Sequence, residues 1–154
     1  MKLNPMTKDE FNHWAPRSRK GYAEDKRRAN GYTEAEANNI ADADFLRLLP
    51  DGLATKDNYL FTMKNEAGTS VGYLWFLVRG AENNRKAFIA DIVVEEEHRG
   101  QGFGRQAMKL CEDEVRKLGL KEIGLHVFGF NKTAISLYRS LGYETTDLVM
   151  AKKI

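Results

Sequence analysis

Three glycines at alternate positions, Gly100, Gly102 and Gly104, follow an arginine in the run Val93-Val94-Glu95-Glu96-Glu97-His98-Arg99-Gly100-Gln101-Gly102-Phe103-Gly104-Arg105. The residues before them read as a strand and those after as a helix. A helix start offers unpaired amides and the positive end of a dipole, which suits an anion. Glycines there remove the side chains that would hold a phosphate away from those amides, and Arg99 adds a positive fork. A P-loop needs Gly-Lys-Ser/Thr at its end, but Gly104 is followed by Arg105-Gln106. A dinucleotide fingerprint needs a glycine at its sixth position, where this chain has Arg105 or Ala107, depending on the first glycine chosen. Too little chain follows to complete a doubly wound sheet. The pattern that fits is Arg/Gln-x-x-Gly-x-Gly/Ala after an antiparallel strand, met by Arg99, Gly102 and Gly104. A tight turn with no ligand is the plain alternative, yet three alternating glycines are costly unless something must approach the backbone.

A second constellation follows in Leu125-His126-Val127-Phe128-Gly129-Phe130-Asn131-Lys132-Thr133-Ala134-Ile135-Ser136-Leu137-Tyr138-Arg139-Ser140-Leu141-Gly142-Tyr143. Asn131 is followed by Ala134 at plus three, by Leu137-Tyr138 at plus six and seven, and then by Leu141-Gly142-Tyr143. With the glycine turn upstream, this resembles the two signatures of the Gcn5-related N-acetyltransferase (GNAT) family, in order and spacing. The resemblance covers about residue 58 to the C-terminus and is strongest to a bacterial branch whose acceptor is not defined, similar also through the ending Thr146-Asp147-Leu148-Val149-Met150-Ala151-Lys152-Lys153. It implies acetyl-CoA as co-substrate, with its pyrophosphate on Arg99, Gly100, Gln101, Gly102, Phe103, Gly104 and Arg105. The pantetheine arm would lie along the backbone of Ile92, Val93 and Val94, and Asn131 and Ala134 would complete the cofactor contacts. Tyr138 would reach the thioester sulfur. Asn131 also reads as a helix N-cap and Tyr138 as a core aromatic. The acidic run Glu95-Glu96-Glu97 is unusual beside a phosphate site and is expected to point into solvent.

The chemistry narrows the role of Tyr138. A thiol leaves with a pKa near 8.5 and tyrosine sits near 10, so complete proton transfer is uphill by roughly 2 kcal/mol. A hydrogen bond that strengthens as charge grows on sulfur avoids that cost. On the other side, a lysine-like amine with a pKa of about 10.4 is neutral in roughly 1 molecule in 2,500 at pH 7, a penalty of about 4.6 kcal/mol. His126, before Asn131 and on an expected strand, and Asp91, interrupting Phe88-Ile89-Ala90-Asp91-Ile92-Val93-Val94, can each serve as base or water relay. Each also has a plain structural reading, as a satisfied strand histidine and a buried hydrogen-bond anchor. His13, His98 and the single Cys111 have no metal-ligand spacing, so no metal site is expected.

The elements that must position these groups follow from periodicity. Thr7 with Glu10 and Thr33 with Glu36 have capping-box spacing, and a helix is expected over 34–49 with Ile40, Phe45, Leu46 and Leu49 on its apolar stripe. Pro16 is expected to break or kink the first helix. Residues 59–64, 71–79 and 87–94 are rich in β-branched and aromatic residues and separated by turn clusters, which predicts three antiparallel strands. A helix from Gly102 buries Met108, Leu110, Cys111, Val115 and Leu118. A strand over 122–128, a helix over 132–141 and a last strand over 143–152 complete the chain. The expectation is one mixed α/β domain, 1–154, with a largely antiparallel twisted sheet flanked by helices. Residues 1–57 form a helical acceptor-side region and 58–154 an acyl-CoA-binding core.

Composition excludes several classes. With 154 residues, 42% hydrophobic and 30% charged, the chain can bury a core and is far from the disordered regime. No run approaches the roughly 20 apolar residues of a membrane span, and the first residues lack a signal peptide's apolar region. A net charge of +2 does not argue for nucleic acid, and Arg17, Arg19, Lys20, Lys26, Arg27 and Arg28 read as a solvated helix face. One cysteine suits a reducing cytoplasm. The favoured reaction moves acetyl from acetyl-CoA to a small-molecule primary amine by direct attack in a ternary complex. Alternatives are acetylation of a protein N-terminus or lysine, and a non-catalytic acyl-CoA-binding regulator, which the presence of Tyr138 disfavours. Trp14, Tyr22, Tyr32 and Trp75 can line the acceptor site. Family members are often dimers, and the final strand could pair across such an interface.

Overall fold

The computed structural model describes residues 1–154. Its elements run β1 (Lys2–Pro5), α1 (Lys8–Asn30), α2 (Glu34–Leu48), β2 (Asn58–Lys64), β3 (Ser70–Arg79), β4 (Lys86–Val94), α3 (Phe103–Lys117), β5 (Ile123–Leu125) and α4 (Lys132–Ser140). The five strands form one sheet in chain order, antiparallel except for the parallel β4–β5 pair. The mixed α/β architecture expected from the sequence is present. β1 is an addition to that expectation; four residues with one partly buried position carry no strand signal.

β3 reads as a nearly unbroken apolar run because both of its faces are covered. Leu74, Phe76 and Val78 pack with Ala107, Met108, Cys111 and Val115 of α3. Tyr73, Trp75 and Leu77 pack on the other face with Trp14 of α1 and Leu49. Both capping boxes form, with each threonine accepting from its glutamate's amide and each glutamate returning to the threonine's amide.

Several expectations are corrected. Pro16 does not break α1, which runs unbroken from Lys8 to Asn30. Pro16 is exposed, so the carbonyl it leaves without a helical partner lies on the solvated side. Of the expected α2 stripe, Phe45 and Leu49 pack inward but Leu46 is 70% exposed, and Ala37 and Ala41 make up the rest of the buried face. Small residues stand there because α2 lies close against Ala23 of α1. Leu118 of the expected α3 face is also exposed.

The strand expected over 122–128 pairs only from Ile123 to Leu125, which leaves His126 just beyond it. β4 carries an extra residue there: Trp75 opposes Asp91 and Phe76 opposes Ile89, which leaves Ala90 unpaired. Such a bulge breaks the ladder and bends the strand, and the β4–β5 pairing ends at Ile89 opposite Leu125. The last strand, expected over 143–152, does not form. A strand requires a ladder partner, and β5 is paired to β4 alone. Leu148 and Val149 consequently stand 78% and 99% exposed.

Candidate active site

The bulge at Ala90 decides what faces the interior of the site. Ala90 packs against the α1-side core, and Asp91, next in sequence, also points to α1. Trp14 Nε1 donates to Asp91 Oδ2 at 3.1 Å, and Ser18 Oγ donates a short hydrogen bond to the same oxygen. Without the extra residue, alternation would have sent one of the pair to the α3 face. Beyond Ile89, the β4 edge away from β3 has no strand partner, although the Val94 carbonyl is taken by Arg99 and the Ile92 amide by the Asp91 carboxyl.

The separation of β4 from the 126–131 segment opens a cavity of about 570 Å³. It gathers Asp91, Ile92, Val93, His126, Asn131 and Tyr138, together with Trp14, Ser18, Tyr22 and Trp75. Tyr32, also considered for the acceptor side, is not among its lining residues. Burial pushes the Asp91 carboxyl up from its ordinary value, opposed by the Ser18 and Trp14 hydrogen bonds and the Ile92 amide. Burial also raises the Tyr138 phenol, with a further push from the nearby Asp91 charge. The His126 imidazole is lowered, first by burial and then by the Lys26 charge.

Val94, residues 99–105 and Ala134 lie outside this cavity. Gly100 and Gly102 hold left-handed backbone at φ of 74° and 82°, and nothing occupies the space where a Cβ would stand on either. Gly102 is the N-cap of α3 and supplies no side chain to the first amides. Arg99 Nε donates to the Val94 carbonyl at 3.0 Å and so braces the turn against the end of β4. Gly104 sits against Leu137 of α4, and Arg105 reaches Ser140 Oγ at 2.7 Å. The turn therefore abuts the helix that carries Tyr138 into the cavity, and the open β4 edge links the two.

A match to the model of the acetyltransferase (GNAT) family spans residues 16–143. The chain is 35% identical to the uncharacterized N-acetyltransferase YycN of Bacillus subtilis over 99% of its own length and 97% of that protein. The chain belongs to the GNAT acetyltransferase family. The crystal structure of YycN superposes with a TM-score of 0.94, covering 99% of this chain and 98% of that one. YdgE of the same organism, also an uncharacterized N-acetyltransferase, is 29% identical over 99% of this chain and 97% of its own. A thialysine N-epsilon-acetyltransferase of Sus scrofa is 34% identical over 47% of this chain and 43% of its length.

As a GNAT protein, the chain is an N-acetyltransferase, and its two sequence signatures fall on the turn and on α4. Asn131 is the N-cap of α4, its side chain accepting from the Ala134 amide at 3.1 Å. The acidic run behaves differently from expectation. Glu96 and Glu97 are exposed, but Glu95 turns toward α1 and forms a two-pronged pair with Arg17, both distances 3.0 Å. The Arg17 guanidinium holds the Glu95 carboxyl below its usual range. That pairing neutralises the carboxylate nearest the cavity, where repulsion of an anionic cofactor would matter most.

The sequence placed Trp14 and Tyr22 of α1 on the acceptor side, as the cavity lining bears out, but missed Ser18 and Asp25 beside them. Trp14, Ser18, Tyr22 and Asp25 all line the cavity. Their spacing of four, four and three marks one helix face mixing aromatic and polar side chains. That signal is present in the sequence, but without the fold it reads as an ordinary amphipathic surface.

Proposed function

We propose that this protein transfers an acetyl group from acetyl-CoA to the primary amine of a small molecule by direct attack in a ternary complex. The observation that carries the reading is Asp91 and Tyr138 facing one cavity at the end of an open strand edge that leads to the glycine turn. A cavity of about 570 Å³ is also in the range of small-molecule sites. Residues 1–57 supply the acceptor side and 58–154 the donor core. The similarity to an enzyme named for thialysine supports a small amine as acceptor.

In this mechanism the pyrophosphate takes the free amides after Gly102, and the pantetheine arm lies along Ile92 to Val94. The amine nitrogen attacks the thioester carbonyl, its proton passes to Asp91, and the carbon–sulfur bond breaks. Tyr138 donates a hydrogen bond to the departing sulfur, which leaves as CoA. Asp91 suits its part because both α1 donors hold Oδ2 and so fix the carboxylate in the cavity wall beside the acceptor side. The lone cysteine, buried Cys111, supports a cytoplasmic setting.

A thiol-release assay with acetyl-CoA across small amines and peptides tests this reading. Release with small amines and none with peptides is the expected result. Turnover of peptides alone would replace the acceptor class, and CoA binding without turnover of anything would point to a regulator. The donor site has its own test. Gly102→Ala places a Cβ on left-handed backbone, costing roughly 1–2 kcal/mol. Acetyl-CoA affinity is expected to fall about tenfold, measured by calorimetry. An unchanged affinity would remove the turn from the cofactor site.

A further inference from the structure

The cavity is lined by four carboxylates, of which two are already neutralised. Glu95 is paired with Arg17, and Asp44 accepts from Arg47 at 3.2 Å and from the Tyr22 hydroxyl at 2.8 Å. The third lining arginine, Arg79, lies 3.8 Å above the Phe88 ring. Asp91 is held by Trp14 and Ser18. Asp25, one helix face further along α1, faces the same cavity with neither a hydrogen-bond donor nor an ion-pair partner. Burial pushes its carboxyl up, and only the field of Arg28 opposes this. That guanidinium is itself seated 4.0 Å over the Phe130 ring. A half-buried carboxylate without a partner is unfavourable in the empty protein, so a cation that reaches it gains more than at the surface.

Spacing gives the kind of cation. Ser18, bound to Asp91, and Asp25 are seven residues apart, or about 10 Å along the helix axis. Between them on α1 stands Tyr22, which lines the cavity with its ring 6.5 Å from that of Phe45. An aliphatic chain can lie along such rings with a charge at each end. We propose that Asp25 is the specificity-determining residue of the acceptor site, binding a second ammonium group on an aliphatic amine whose reacting nitrogen lies between Asp91 and Tyr138. The proposal rests on the acetyl-transfer reading above and names its acceptor class.

The matched probes are 1,5-diaminopentane and n-pentylamine, which share a five-carbon chain and differ by one terminal ammonium. Each is measured with wild type, Asp25→Asn and Asp25→Glu, by thiol release and by calorimetry on the CoA complex. Wild type should favour the diamine by about tenfold in kcat/KM, the worth of one charge-assisted hydrogen bond, and mainly through KM. Asp25→Asn should erase that preference, whatever common change it makes to both amines by removing a charge that acts on Asp91, and Asp25→Glu should restore part of it. Equal use of both amines by wild type, or a diamine-to-monoamine ratio unchanged in Asp25→Asn, overturns the proposal. Calorimetry separates the two readings. Asp25-dependent diamine binding without thiol release would uphold Asp25 and sink the acetyl-transfer reading. Thiol release without any charge preference would do the reverse. The wild-type comparison needs no variant, so a folding defect in one cannot mask the answer.

Discussion

Tyr138→Phe is expected to slow acetyl transfer about a hundredfold, the usual cost of removing one hydrogen-bond donor to developing charge. Affinity for CoA should stay nearly unchanged, because the ring remains to pack and only the hydroxyl is lost. From reference values alone, handing a proton from tyrosine to the departing thiolate is uphill by roughly 2 kcal/mol. Burial and the neighbouring Asp91 charge raise the phenol further, which widens that gap. Full transfer is thus less favourable than the sequence implied, and a hydrogen bond that shortens as sulfur becomes negative is the remaining role. The sign has a pH consequence. A raised phenol stays protonated beyond its ordinary 10.0, so tyrosine should impose no basic limb on the rate within a normal assay range. Steady-state kcat and calorimetric CoA binding on the same preparation check both parts. Unaltered turnover on a confirmed acceptor would end the assignment.

How much of this could be read from the residues differs between donor and acceptor sides. The turn was legible because alternate glycines cost chain entropy that a close backbone approach can offset, and Gly100 and Gly102 do take left-handed backbone. The α4 signature was legible because its residues are local in sequence: Asn131 caps the helix that positions Tyr138 two turns later. The central strands were legible from composition, and β3 shows why, since a strand covered on both faces leaves a continuous apolar run. What failed depended on contacts distant in sequence. Nothing local distinguishes a bulge at Ala90 from regular strand, yet that bulge aims Asp91 and accompanies the end of the β4–β5 ladder. The run Leu148-Val149-Met150 has strand composition and no neighbour to pair with, so propensity alone misassigned it. Ser18 and Asp25 were lost among the charges of α1 because only the fold shows which face of that helix meets β4.

The base can be identified by the acidic limb of the pH–rate profile. Asp91→Asn is expected to lower kcat/KM about a hundredfold at pH 7 and to remove that limb. The asparagine oxygen can still accept from Ser18 and Trp14, so the α1 contact survives and the loss reads chemistry. His126→Ala should retain the limb. Burial and Lys26 lower the imidazole from its ordinary 6.5, so any limb set by His126 would fall on the acid side of that value and would vanish with the ring. Asp91 titrates above the usual carboxylate value of 3.8, and activity must rise with pH through that midpoint, since a base acts only when deprotonated. A third variant gives a direction rather than a loss. The Ser18 hydrogen bond favours the charged carboxylate, so Ser18→Ala should move the limb to higher pH if Asp91 is the base. If the limb survives Asp91→Asn and disappears in His126→Ala, the proton goes to His126 and Asp91 is only the tie between β4 and α1. If Ser18→Ala leaves the midpoint where it was, Asp91 does not set it. The Ser18 variant is the sharper test because a merely structural role for this serine would lower activity at every pH without moving the midpoint.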